Sequence, residues 1–192
     1  MSVTSISLEL SGIEASTKHL TSFQLEDLIS NGKIIILNAW IPNFSELKHY
    51  LKDSLQNKNT SIEITVINPD CKFATIRGEE LEMTVEQVKE EVNHTIYEIY
   101  RFYSQLDENE KARVKLYRGD YLPKISIYAC NEKAWLGFCW LRKYSIESSY
   151  FYINGKDGHL SKDVWDYYNR LRSMRNEVDF SQFEKSNSDC VS

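Results

Sequence analysis

The sequence predicts an α/β domain built on one mixed central sheet of about seven strands, a parallel βαβ part followed by an antiparallel meander, with helices on its flanks. Three observations carry that reading. Lys33 to Trp40 (KIIILNAW) is a nearly continuous apolar run of strand length, the signature of a strand buried on both faces. A helical pattern and then an alternating strand (Ile62, Ile64, Val66) follow it with short joins, which is the layout of a right-handed βαβ unit. From Val114 onward come four short apolar segments separated by short polar turns, and such brief connections suit antiparallel neighbours.

The elements follow in order. Ile6, Leu8 and Leu10 alternate with polar residues as in a half-buried strand, and a helix is expected over residues 22–30, stopped by Asn31-Gly32. After the Lys33 strand, Asn43-Phe44-Ser45 opens a helix with Phe44, Leu47, Leu51 and Leu55 on one face. The Ile62 strand ends at Asn68-Pro69-Asp70. The longest helix is expected from Thr84 to Leu106, because Val85, Val88, Val92, Ile96, Ile99, Tyr103 and Leu106 recur at spacings of three and four. Its other face, with Glu86, Glu90, Glu91 and Glu98, is a solvated acidic stripe. The four late strands are Val114–Tyr117, Ile125–Cys130, Trp135–Leu141 and Tyr150–Ile153. Ser161 caps a last helix, Lys162 to Arg175, whose Val164, Trp165, Tyr168 and Leu171 face inward.

Bulk properties bound the function. The chain has 192 residues, 42% hydrophobic and 12% aromatic, with three prolines and seven glycines. That suits one filled core and little linker, so residues 1–180 form a single domain and 181–192 a polar, frayed tail. A net charge of −5 argues against broad nucleic-acid binding, which needs clustered cations. Cys71, Cys130, Cys139 and Cys190 show no CxxC spacing, which suits a reduced, cytoplasmic protein. The first residues lack the pattern of a signal peptide, and no apolar run approaches the roughly 20 residues of a bilayer span. His19, His49 and His94 have no metal-ligand spacing, and neither a nucleophile elbow nor a phosphate loop is present, so no metal or cofactor is expected.

The segment Leu122 to Leu141 (LPKISIYACNEKAWLGFCWL) and the opening IIILNAWIPNFSELKHYLKDSL…SIEITVINPD together resemble one half of the phospholipase D-like fold, over about Ile34 to Arg172. Active members of that superfamily carry His-x-Lys, four further residues and Asp, then a Gly-Ser-x-Asn-like segment; the histidine attacks phosphorus while lysine and asparagine hold the phosphoryl oxygens. In this chain the histidine position falls on Lys124, the lysine on Ser126 and the aspartate on Asn131. Gly137 matches the glycine, but Phe138 and Trp140 replace serine and asparagine. Lys124 cannot supply a nucleophilic imidazole, so the resemblance implies a lost active site with no catalytic residue. It also implies a symmetric homodimer, and by analogy a bacterial regulatory or defence role. His159, Lys162 and Asp166 look superficially like the missing motif, but their spacing is wrong and they open a helix.

The expected function is therefore a non-catalytic module that senses a small anionic, nucleotide-like ligand or docks a protein. Its candidate ligand-binding residues are Trp40, Asn43, Asn68, Asp70, Arg77, Lys124, Ser126 and Asn131, because ligands of open α/β sheets sit outside the carboxyl ends of the parallel strands. Arg77 and Lys124 would form the anion-binding pair; the alternative is that Arg77 pairs with Glu79 or Glu80. An enzyme with replaced chemistry, a phosphodiester or nucleotide hydrolase, would draw its base or nucleophile from His94, His159 or Glu132. A third possibility is a subunit of a hetero-complex with Trp135, Tyr150 and Tyr152 exposed on one face.

Overall fold

The computed structural model describes residues 13–15, 32–138, 150–155 and 159–183. The expected strand at Ile6–Leu10 and helix at 22–30 lie outside them, as do Trp140, Cys139 and Cys190. The described strands are β1 (Ile13–Ala15), β2 (Lys33–Leu37), β3 (Ser61–Ile67), β4 (Val114–Gly119), β5 (Ile125–Cys130), β6 (Lys133–Phe138), β7 (Tyr150–Asn154) and β8 (Arg175–Glu177). The helices are α1 (Phe44–Leu55), α2 (Lys72–Leu81), α3 (Val85–Ser104), α4 (Glu108–Lys111) and α5 (His159–Arg172). The strands form one sheet in the order β1-β7-β6-β5-β2-β3-β4-β8, parallel over β2-β3-β4 and antiparallel elsewhere.

Strand alternation splits the core in two. Ile34, Ile36, Ile62, Ile64, Val66, Val114 and Leu116 share one face with Phe44, Leu47 and Leu51 of α1 and Val88, Val92, Ile96 and Ile99 of α3. Ile35, Leu37, Ile127, Ala129, Leu136 and Ile153 meet Val164, Tyr168 and Leu171 of α5 on the other. α3 begins where Thr84 and Gln87 form a reciprocal capping box, which satisfies two backbone donors that would otherwise be unpaired.

Three elements differ from the sequence expectation. Val114–Gly119 is not part of the meander: it pairs in parallel with β3. Its alternation marks a half-buried strand but names no neighbour, and the crossover that parallel pairing demands is supplied by α2 and α3. α2 was not expected, because KFATIRGEEL buries only Ala74, Arg77 and Gly78 and so carries little apolar periodicity. The last helix runs His159–Arg172, so Ser161 lies inside its first turn instead of capping it, and Arg175, the expected helix end, opens β8; a three-residue polar strand has no hydrophobic signature.

Arg113 ties α1 to the sheet. Its guanidinium donates to the carbonyls of Leu55 (2.8 Å), Asn57 (2.8 Å) and Thr60 (2.7 Å), and Nε donates to Asn109 (3.1 Å). A cation there also faces the negative end of the α1 dipole. Arg113→Ala is expected to cost about 2–3 kcal/mol, since charged hydrogen bonds are lost and carbonyls are left unmet. Urea denaturation checks this as a lower midpoint at unchanged slope.

Candidate functional site

The carboxyl ends of β2, β3 and β4 lie at one end of the sheet, and β5 starts there because it runs antiparallel to β2 with Leu37 opposite Ile127. The link from β4 to β5, Asp120 to Lys124, must pass β3 and β2 to reach the far side of β2. Three strand spacings are about 14 Å, and the six Cα steps from Gly119 to Ile125 span at most about 22 Å, so the link crosses the strand ends with little slack. Tyr121, Leu122 and Pro123 are buried along it. Gly119 makes room: a Cβ there would sit 2.4 Å from the Tyr121 ring. The crevice in which α/β proteins hold ligands is thus crossed by the chain itself.

The motif positions are divided. Lys124 is exposed, and its backbone N–H donates to the Tyr167 hydroxyl at 2.8 Å. Ser126 is fully buried and donates to the Gly137 carbonyl at 3.2 Å. Gly137 lies opposite both Ser126 and Tyr150 in the ladder, and a Cβ on it would fall 2.5 Å from Ser126 Oγ and 2.7 Å from the Tyr150 ring. The Tyr150 ring occupies the space that the glycine leaves. Tyr128 meets Tyr150 edge-on at 6.1 Å, and its hydroxyl accepts from Asn38 Nδ2 at 3.2 Å. Ser126 is therefore a packed core position. Asn131 is not with it: this residue forms the β5–β6 turn at the opposite end of the sheet, where its side chain lies against Gly32. Six β5 residues separate the two ends by about 20 Å.

The other candidates are mostly committed elsewhere. Arg77 is 2% exposed and its guanidinium donates to Glu80 at 2.8 Å, the alternative partner. Trp40 is buried in the helix-side core, and Asn43 precedes α1 without capping it through its side chain. Asn68 and Asp70 do stand at the end of β3. Asn68 Nδ2 donates to Asp120 at 2.8 Å, Asn68 Oδ1 accepts from the Asp70 N–H, and Asp70 pairs with Lys89 at 3.0 Å. His94 is exposed on α3, while Glu132 sits in the far turn beside Asn131. Trp135 and Tyr150 are buried and Tyr152 is half-buried against Trp135, so the three do not form an exposed face. Lys162 and Asp166 are exposed on α5. Among the described residues no three His, Cys, Asp or Glu side chains are grouped to hold a metal, and no described helix is long and apolar enough to cross a membrane.

One residue escaped the sequence reading. Arg118 follows Val114 and Leu116 on the buried face of β4, half-buried at the strand's carboxyl end. Burial lowers its basicity, opposed by the charge of Asp70, and its Nε is buried with no hydrogen-bond partner among the described residues. The signal was there: a charge breaks the apolar alternation of Val114 and Leu116.

No protein-family model and no curated protein matches the chain. Solved structures do. The phosphatidylserine synthase of Haemophilus influenzae superposes with a TM-score of 0.59 at 14% identity, covering 85% of this chain and 38% of that one. Nuc of Salmonella typhimurium, a phospholipase D family member, superposes at 0.50 and 7% identity, over 86% and 95%. The fold is phospholipase D-like. The archaeal chromatin protein TrmBL2, which binds DNA, reaches only 0.49 at 9% identity over 91% and 57%, too slight a likeness to carry an argument. The chain thus spans well under two thirds of TrmBL2 and of the synthase, and nearly all of Nuc. At such identities the likeness fixes the architecture and leaves the chemistry to the residues.

Proposed function

We propose that the chain is a non-catalytic phospholipase D-like module that acts by binding a protein. One observation carries this reading: Ser126, at the position of the motif lysine, is sealed beneath Tyr150 and bonded to Gly137, so no phosphoryl group reaches it. Lys124, at the histidine position, is an exposed amine and not an imidazole. Of the three residues offered for replacement chemistry, His94 is on the outside of α3 and Glu132 at the far end of the sheet, so these two do not converge; the His159 side chain lies outside the described residues. The ion pair of Arg77 with Glu80 weakens the support for a ligand sensor built on Arg77 and Lys124. By analogy with single-half members of the superfamily, the module works as a symmetric homodimer in the bacterial cytoplasm, in a regulatory or defence system.

A second reading has Arg118 in its favour. A buried guanidinium Nε with no partner among the described residues is costly, and a small oxyanion at the end of β4 would satisfy it. Titration of inorganic phosphate into ¹⁵N-labelled protein separates the two. The protein-binding reading predicts no saturable shift at Ser126 or beside Arg118. Saturation centred on Arg118 that Arg118→Gln abolishes would replace it with the anion-binding one.

A further inference from the structure

The last strand leaves its neighbour early. β8 pairs with β4 through Tyr117–Glu177, Arg118–Asn176 and Gly119–Arg175, and the Val178 N–H adds one more bond to the Leu116 carbonyl at 2.8 Å. At Asp179 the chain turns away. Its side chain accepts from the Ser181 N–H and its carbonyl from the Gln182 N–H, and the resulting turn stacks Phe180 on Tyr103 with ring centroids 4.2 Å apart. Nothing described continues the ladder beyond Val178.

The backbone left behind is unmet. Ile62 N–H donates to the Arg113 carbonyl and Asn68 N–H to the Gly119 carbonyl, so odd-numbered residues of β4 turn their backbone groups toward β3. Those of Val114 and Leu116 point to the outer edge. Among the described residues, the Val114 N–H and carbonyl and the Leu116 N–H have no hydrogen-bond partner. A groove of about 500 Å³ opens on this stretch, lined by Val114, Leu116, Tyr103 and Phe180 and by the charged Lys111 and Glu177. That volume lies within the range of about 300–1,000 Å³ found for ligand sites. Buried backbone groups are almost always paired; Val178 sits opposite Leu116, and the groove gives the Val114 N–H and carbonyl access to a partner.

We infer that this groove takes an extended peptide segment of a partner protein, which lies beside β4 and continues the line that β8 abandons. Its backbone meets the Val114 N–H and carbonyl, which lie beyond the Val178 bond, and one apolar side chain packs against Tyr103 and Phe180. The inference rests on the protein-binding reading above and names the form of the partner. Charge does not drive it, because Lys115 is already paired with Glu177 at 3.0 Å and Lys111 with Glu108 at 2.8 Å.

The test uses a hexapeptide of alternating threonine and valine, blocked at both ends, titrated into the ¹⁵N-labelled full chain. The control is the same peptide N-methylated at every second residue, which keeps the side chains and removes backbone donors. The expected result is saturable shifts centred on the Val114 and Leu116 amides, with binding weakened about tenfold or more by N-methylation. No saturable change at those amides, or equal binding of the N-methylated peptide, would overturn strand addition. Shifts that follow protein concentration without peptide would assign the edge to a second copy and overturn it too. Hydrolysis is not read in this experiment, so its failure leaves the non-catalytic reading intact. Phosphodiesterase activity would remove that reading without touching the groove.

Discussion

Glu63→Gln is expected to destabilise the protein by about 3 kcal/mol or more, because breaking a buried ion pair on one side strands the other charge. Glu63 is 5% exposed in the middle of the sheet on the α5 side. Its carboxylate accepts from Arg175, Tyr168 and Lys33, the last at 2.5 Å, with Arg172 at 3.7 Å. Arg175 also donates to Thr65 at 2.9 Å and lies 3.7 Å above the Tyr117 ring. The carboxylate therefore holds both α5 and β8 onto the sheet. Burial alone would raise its pKa, but the hydrogen bonds from Lys33, Tyr168 and Arg175, with the charge of Arg175, outweigh it and pull the group from the usual 4.5 to about 2.

The pH dependence follows from that direction. A depressed carboxylate stabilises the fold above its unfolded pKa and ceases to do so as pH falls through its folded pKa. Wild-type stability attributable to Glu63 should be fully present above about pH 4.5 and fade toward pH 2, a loss of up to about 3 kcal/mol. Glu63→Gln should be weaker at neutral pH and flatter across that acid window. Denaturant unfolding at several pH values checks both. An acid limb of the same depth in wild type and variant would show that this carboxylate does not hold the fold.

Ser126→Lys, which restores the lysine of the superfamily motif, should give the second large effect. The position has no exposed surface and is closed by Gly137, Tyr128 and Tyr150. A buried ammonium without a carboxylate partner costs several kcal/mol, and the longer side chain displaces the Tyr150 ring. We expect a loss of about 4 kcal/mol or more, seen as a large drop in thermal midpoint, whereas Lys124→His at the exposed neighbouring position should change stability little. If Ser126→Lys were tolerated, the site would be open and the reading of a filled centre would fail.

The resemblance was legible because the opening βαβ and the hairpin Ile125–Phe138 both keep their apolar patterns. Helical periodicity also picked out the inward residues Phe44, Leu47, Leu51 and Leu55, and Val164, Tyr168 and Leu171. What could not be read was pairing and polar contact. Val114–Tyr117 carries the alternation of any half-buried strand, so only the crossover reveals that it is parallel to β3. β8 is held by Glu63 and Arg175, a polar clasp between residues far apart in the chain, and polar clasps leave no periodic trace. At the candidate site the glycine was noticed as a family match, but its physical reason, the Tyr150 ring lying on it, needs the ladder register. Asn131 was grouped with Ser126 by motif spacing alone, although five strand residues carry it toward the other end of the sheet.

The most direct test of the central claim is a hydrolysis assay of the full chain on bis(p-nitrophenyl) phosphate and on phosphatidylcholine, run beside an active phospholipase D-like enzyme. A centre filled by Tyr150 over Ser126 predicts release no faster than the buffer blank, unchanged in Lys124→Ala. Turnover above the blank that Lys124→Ala abolishes would contradict it, and would return the chain to the enzymes.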